Sequence, residues 1–143
     1  MKTTAKIVSK PDLSTDRAQS IFTAQVSAGF PSPAADYEEG KLDLNRHLVK
    51  NPPATFFVRV TGDSMVGAGI HSGDLLIVDR SLEPKNNSVI IAALDGELTV
   101  KRIKLTNGKI TLVPENKNYK AQKIEGNMEF EVWGVVTNVI HSL

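Results

Sequence analysis

The 143-residue sequence contains no cysteine. That absence removes disulfide frameworks, thiol nucleophiles and cysteine-ligated zinc, and it is compatible with a reducing compartment. Long apolar runs are missing too. Ile21, Phe22 and Ala24 to Val26 are interrupted by Thr23 and Gln25, whereas a signal peptide needs an unbroken apolar stretch of about 7–15 residues and a membrane span about 20. The expected location is the cytoplasm, with no membrane partner. Nor does charge of one sign dominate: 17 Lys and Arg stand against 16 Asp and Glu, a net charge of +1. The whole-chain balance therefore gives no case for nucleic-acid binding. His47, His71 and His141 are scattered without metal-ligand spacing, so no metal and no cofactor is expected.

What is present is an ordinary globular composition, 41% apolar and 23% charged. The length suits one domain with a short extension. Residues 1–28 read as a flexible N-terminal arm, because they mix Lys, Ser, Thr and Asp with few bulky apolar side chains. Gly29-Phe30-Pro31-Ser32-Pro33-Ala34-Ala35 reads as an extended, accessible linker, since each proline disfavours helix at the residue before it. A short helix follows, capped by Asp43, with Leu44 and Leu48 on one face and Pro52-Pro53 as its stop. Beyond it the pattern is strands and turns. Phe56, Val58 and Val60 alternate with Phe57, Arg59 and Thr61; Leu75–Val78 and Val89–Ala93 are short apolar runs. Asp95-Gly96 and Asn107-Gly108 are two-residue hairpin signals, returning through Leu98–Leu105 and into Ile110–Val113. Phe130–Ile140, with Trp133, is a last strand-rich stretch. The fold class is mainly β, closed or sandwiched.

Thr61-Gly62-Asp63-Ser64-Met65 comes directly off a strand, with Gly67, Gly69 and Gly73 close behind. A serine there projects its hydroxyl at the sheet edge, and the N–H groups starting the following turn can face an oxyanion. Alone the signal is weak, because a Gly-Asp-Ser segment is far more often just a turn. The acids Asp63, Asp74, Asp79 and Asp95 sit at turns, where carboxylates cap backbone groups, and His71 sits in a solvated, glycine-rich turn. A serine needs a base to attack an amide, and Lys101 is a candidate. It lies in Glu97-Leu98-Thr99-Val100-Lys101, on the face opposite Leu98 and Val100. Beside Arg102 and Lys104 it also reads as a solvated surface lysine.

Taken together, these segments resemble the LexA-type peptidases (peptidase S24), and among them the UmuD-like proteins. The likeness runs from Ala28 to Val139. Gly29-Phe30-Pro31-Ser32-Pro33-Ala34 is similar to the family's cleavage-site run, and Gly62-Asp63-Ser64-Met65 to its nucleophile motif. Gly73-Asp74-Leu75-Leu76-Ile77-Val78-Asp79 is similar to the strand that follows. Asp95 to Arg102 resembles the lysine motif, and Trp133-Gly134-Val135-Val136 the closing strand. The resemblance implies a LexA- or signal-peptidase-like β domain at 29–143, with Ser64 as nucleophile and Lys101 as base. It implies self-cleavage between Ala28 and Gly29, which removes the arm. Backbone N–H groups of Ser64 and Met65 would form the oxyanion site.

An ordinary lysine, with a pKa of about 10.4, is charged at neutral pH. Lowering it by about 3 units costs roughly 4 kcal/mol, so the cleft is expected to desolvate Lys101 with no carboxylate beside it. About 28 residues before the cut are too few for a helix-turn-helix domain, so a repressor is not expected. The likeness is to the mutagenesis branch of the SOS response. There the partners are a second copy of the chain, a RecA filament on single-stranded DNA that promotes cleavage, and a UmuC-like Y-family polymerase in translesion synthesis. No sequence-specific DNA contact is expected. Residues 101–123 hold seven Lys or Arg against Glu115 alone, which reads as a solvated face or as a surface touching the filament. The competing readings are a non-cleaving interaction module, a protease acting on other proteins, and a β-rich binding protein unrelated to proteolysis.

Overall fold

Apolar alternation in the second half of the chain produces one large antiparallel sheet. The computed structural model describes residues 4–14, 19–22 and 38–143. The strands in chain order are β1 (Thr4–Ser9), β2 (Gln19–Phe22), β3 (Glu38–Leu42), β4 (Thr55–Thr61), β5 (Leu75–Asp79), β6 (Val89–Leu94), β7 (Glu97–Thr106), β8 (Lys109–Val113), β9 (Gln122–Lys123) and β10 (Phe130–Ile140). The expected cut at Ala28-Gly29 and the linker after it lie outside the described residues.

The chain divides into two compact units, Met1–Pro11 with Asn51–Leu143, and Asp12–Lys50. In the smaller unit β2 pairs antiparallel with β3. The helix α1 (Leu44–Leu48) starts where expected: the Asp43 carboxylate accepts from the N–H groups of Asn45 at 3.0 Å and Arg46 at 3.4 Å. In the larger unit the sheet runs β1-β4-β5-β10-β6-β7-β8-β9. Thr4 pairs with Thr61 at the end of β4 and also with Thr99 in β7. That double pairing closes β1, β4, β5, β10, β6 and β7 into a circuit.

Thr4–Ser9, read from the sequence as part of a flexible arm, forms a paired strand. Its side chains gave no signal because four of the last four positions are exposed and the strand is held by its backbone.

The core sits on both faces of the central strands. Phe56, Val58, Val60, Leu76, Val78, Ile91 and Val100 form one cluster with Met65 and Ile70. Ile90, Ala92, Ile103 and Leu112 form a second. Adjacent residues of β6 feed different clusters, which is why that strand reads as a continuous apolar run. Both hairpins form as expected. Asp95-Gly96 and Asn107-Gly108 have positive φ at both positions, 49° and 85°, then 51° and 74°, and join Leu94 to Glu97 and Thr106 to Lys109.

Candidate active site

The end of β4 and the middle of β7 are brought together through Thr4, which pairs with both. From β4 the chain turns at Gly62, whose φ of 108° is a conformation that side-chain-bearing residues rarely adopt. Two residues later comes Ser64, fully buried, followed by Met65, whose side chain is locked into the core. A short helical turn, Val66–Ala68, follows.

Lys101 meets Ser64 from β7, its Nζ 3.0 Å from Ser64 Oγ. The amine also lies 3.2 Å from Thr99 Oγ1 and 3.0 Å from the Val100 carbonyl oxygen. The pleat explains this: Val100 is buried in the core, while Thr99 and Lys101 project together from the other face. Three oxygen atoms, from Ser64, Thr99 and Val100, thus surround the amine and can each accept from it. A shallow cleft lined by Thr4, Leu98, Thr99, Lys101, Tyr119 and Lys120 adjoins this face of β7.

A second segment fixes the turn that carries Ser64, and sequence reading did not find it. The Glu115 N–H donates to the Ser64 carbonyl at 2.8 Å, and the Glu115 carbonyl accepts from Gly67 N–H at 2.8 Å. A Cβ on Gly67 would stand 2.7 Å from that carbonyl oxygen, so only glycine permits the approach. Asn116 donates its side-chain amide to the Asp63 carbonyl at 2.9 Å, and the Tyr119 hydroxyl donates to Asp63 Oδ1 at 2.5 Å. The bond to Asp63, then lesser burial and charge effects, holds the Tyr119 phenol above its ordinary pKa. Glu115 is itself paired with Arg102 Nε at 2.5 Å. Residues 101–123 are therefore more than a basic face: Lys101, Arg102, Glu115, Asn116 and Tyr119 build and brace the site. Thr99 was legible in principle, since i−2 in a strand shares the face of i. The partners at 115–119 lie more than fifty residues from Asp63 by chain and carried no such signal.

The other acids behave as turn caps. Asp79 Oδ1 accepts from Ser81 N–H, Asp95 Oδ1 from Glu129 N–H and Asp74 Oδ2 from His71 N–H, at 2.8, 3.0 and 2.7 Å. The histidines are less scattered than the sequence suggests. His47 lies in the smaller unit, but the turn before β5 and the end of β10 bring His71 and His141 to the same buried carboxylate, Asp74. Among the described residues no helix is long and apolar enough to cross a membrane.

Ser64 and Lys101, the two residues singled out in the sequence, thus lie side by side. A sequence profile described as Peptidase S24-like matches residues 20–137. The chain belongs to the S24 peptidase family. Protein SamA of Salmonella typhimurium strain LT2 is 50% identical over 121 residues, covering 85% of this chain and 84% of that protein. Protein MucA of Escherichia coli is 45% identical over 124 residues, 86% of this chain and 82% of its own length. The LexA repressor of Bordetella petrii is 36% identical over 121 residues, 85% of this chain but 54% of the repressor. The S24 chain is therefore UmuD-like, and its family is one of serine peptidases.

Proposed function

We propose that this S24 peptidase cuts its own chain between Ala28 and Gly29, with Ser64 as nucleophile and Lys101 as general base. The observation that carries the reading is the 3.0 Å contact between Lys101 Nζ and the oxygen of a fully buried serine. The neutral amine takes the Ser64 proton as Oγ attacks the Ala28 carbonyl carbon. The oxyanion forms against the backbone N–H groups of Ser64 and Met65. The protonated amine then gives its proton to the departing Gly29 nitrogen, the Ala28–Gly29 bond breaks, and an ester to Ser64 remains. Water, its proton taken by Lys101, hydrolyses that ester.

The resemblance to the UmuD-like branch extends the reading to cell function. The chain acts in the SOS response in the cytoplasm, as a homodimer whose cleavage a RecA filament on single-stranded DNA promotes. The processed form serves a UmuC-like Y-family polymerase in translesion synthesis. Filament binding acts by shifting the population toward conformers with the cleavage segment docked.

Incubation of the purified chain with RecA, ATP and single-stranded DNA, followed by intact mass, tests this. Loss of residues 1–28 with a new N-terminus at Gly29 is expected. A chain that stays full length in the presence of an active filament would instead be an interaction module.

A further inference from the structure

A second polar cluster stands on the connection between β4 and β5. Asp74 is only 2% exposed. Its Oδ1 lies 2.6 Å from His141 Nδ1, and its Oδ2 lies 3.9 Å from His71 Nδ1. The two imidazole rings face each other with centroids 5.0 Å apart. One ligating atom from each of the three residues lies within 4.8 Å of the other two. Among the described residues, the ion-pair partners of this buried carboxylate are those two histidines.

We propose that His71, Asp74 and His141 form a binding site for a divalent transition-metal ion, with zinc as the fitting example. Two imidazoles and one carboxylate are a donor set for zinc-like ions and not for magnesium or calcium, which prefer oxygen alone. Tetrahedral zinc with bonds of about 2.0–2.1 Å sets its ligand atoms about 3.3 Å apart, so atoms that already lie within 4.8 Å of one another need to close by about 1.5 Å at most, and the proton held in the 2.6 Å contact between His141 and Asp74 leaves as the ion binds. The histidine side chains are 49% and 45% exposed, so an ion can enter from solvent and a water can complete its shell.

The framework is firm where it must be. Asp74 is fixed by the bond from His71 N–H at 2.7 Å, and its carbonyl accepts from Val60 N–H at 3.0 Å. The bound ion would tie the residue after β10 to the turn before β5. That turn in turn holds the end of β4, through Gly73 N–H to the Val60 carbonyl at 2.8 Å and Gly62 N–H to Ser72 Oγ at 3.2 Å. The site uses no residue of the Ser64–Lys101 pair, so it stands or falls independently of self-cleavage.

Calorimetric titration of the full-length Ser64→Ala chain with zinc chloride, repeated with cobalt(II) by visible absorption, provides the test. One ion per chain is expected, with the absorption of low-coordinate cobalt. His71→Gln and His141→Gln should each weaken binding by at least about tenfold, while His47→Gln leaves it unchanged. Magnesium should not compete. Zinc should also move the imidazole NMR signals of His71 and His141 in the parent chain and spare His47, a readout that needs no variant to fold. No saturable binding, binding retained in both His71→Gln and His141→Gln, or unmoved His71 and His141 signals would overturn the proposal.

Discussion

The connection from β4 to β5 carries two polar clusters that are built in opposite ways. At its start, Ser64 is buried, its turn pinned by Glu115, Asn116 and Tyr119, and its hydroxyl met by a lysine from β7. At its end the buried member is a carboxylate, Asp74, and its partners are two half-exposed histidines. On the proposed reading, the buried hydroxyl and the amine exchange a proton, so their partners must hold them closely in place. A buried carboxylate under two open imidazoles is arranged for capping and capture, and tolerates movement at its rim. Variants at the two ends should therefore fail differently.

The largest effect is expected at the first cluster. Ser64→Ala and Lys101→Ala should each slow release of residues 1–28 by at least about 10³-fold, and Lys101→Arg should do the same because a guanidinium stays protonated. Urea denaturation should find the Ser64 variant close to wild type in stability, which separates chemistry from folding. At the second cluster the order reverses. Asp74→Ala should leave cleavage chemistry in place but cost about 1–3 kcal/mol, because the His71 N–H loses its bond to a charged acceptor. His141→Gln, altering a half-exposed side chain, should cost less than about 1 kcal/mol.

Of intermediate size is the effect of Thr99→Val, which removes one of the groups within hydrogen-bond distance of the Lys101 amine. Cleavage should slow by about tenfold, the worth of one hydrogen bond, with the cut still at Gly29. Smallest is an acid effect away from both clusters. Burial alone would raise the pKa of Asp79, but bonds from Asn51 and from Ser81 side chain and backbone outweigh it and hold the carboxyl below its usual range. A depressed folded pKa adds stability above the unfolded value, and that stability is lost as pH falls through the folded value. Ser81→Ala should move the acid-unfolding midpoint to higher pH, read by circular dichroism.

The same contrast governs what could be read from sequence. Every strand with apolar alternation or a two-residue turn signal was legible: β4, β5, β6, β7, β8 and β10, as was the Asp43-capped helix. β1 was not, because Thr4–Ser9 is held by backbone pairing and shows few buried side chains. β2, β3 and β9 are short and lack alternation. Ser64 and Lys101 emerged because each sits in a contiguous strand-associated motif and the order and spacing of the motifs together resemble the family's. Asp63 with Tyr119, and Asp74 with His141, are pairings 56 and 67 residues apart that only the closed sheet creates. Local pattern fixes elements and motif residues; bracing partners depend on topology.

The central claim concerns one amine and its proton, and the rate of self-cleavage against pH measures it most directly. Wild-type chain should release Gly29-initiated product at a rate that climbs tenfold per pH unit until Lys101 is neutral and then levels, with no such limb in Lys101→Ala. A rate independent of alkaline pH, or an unchanged profile in the lysine variant, would contradict the assignment of Lys101 as the base.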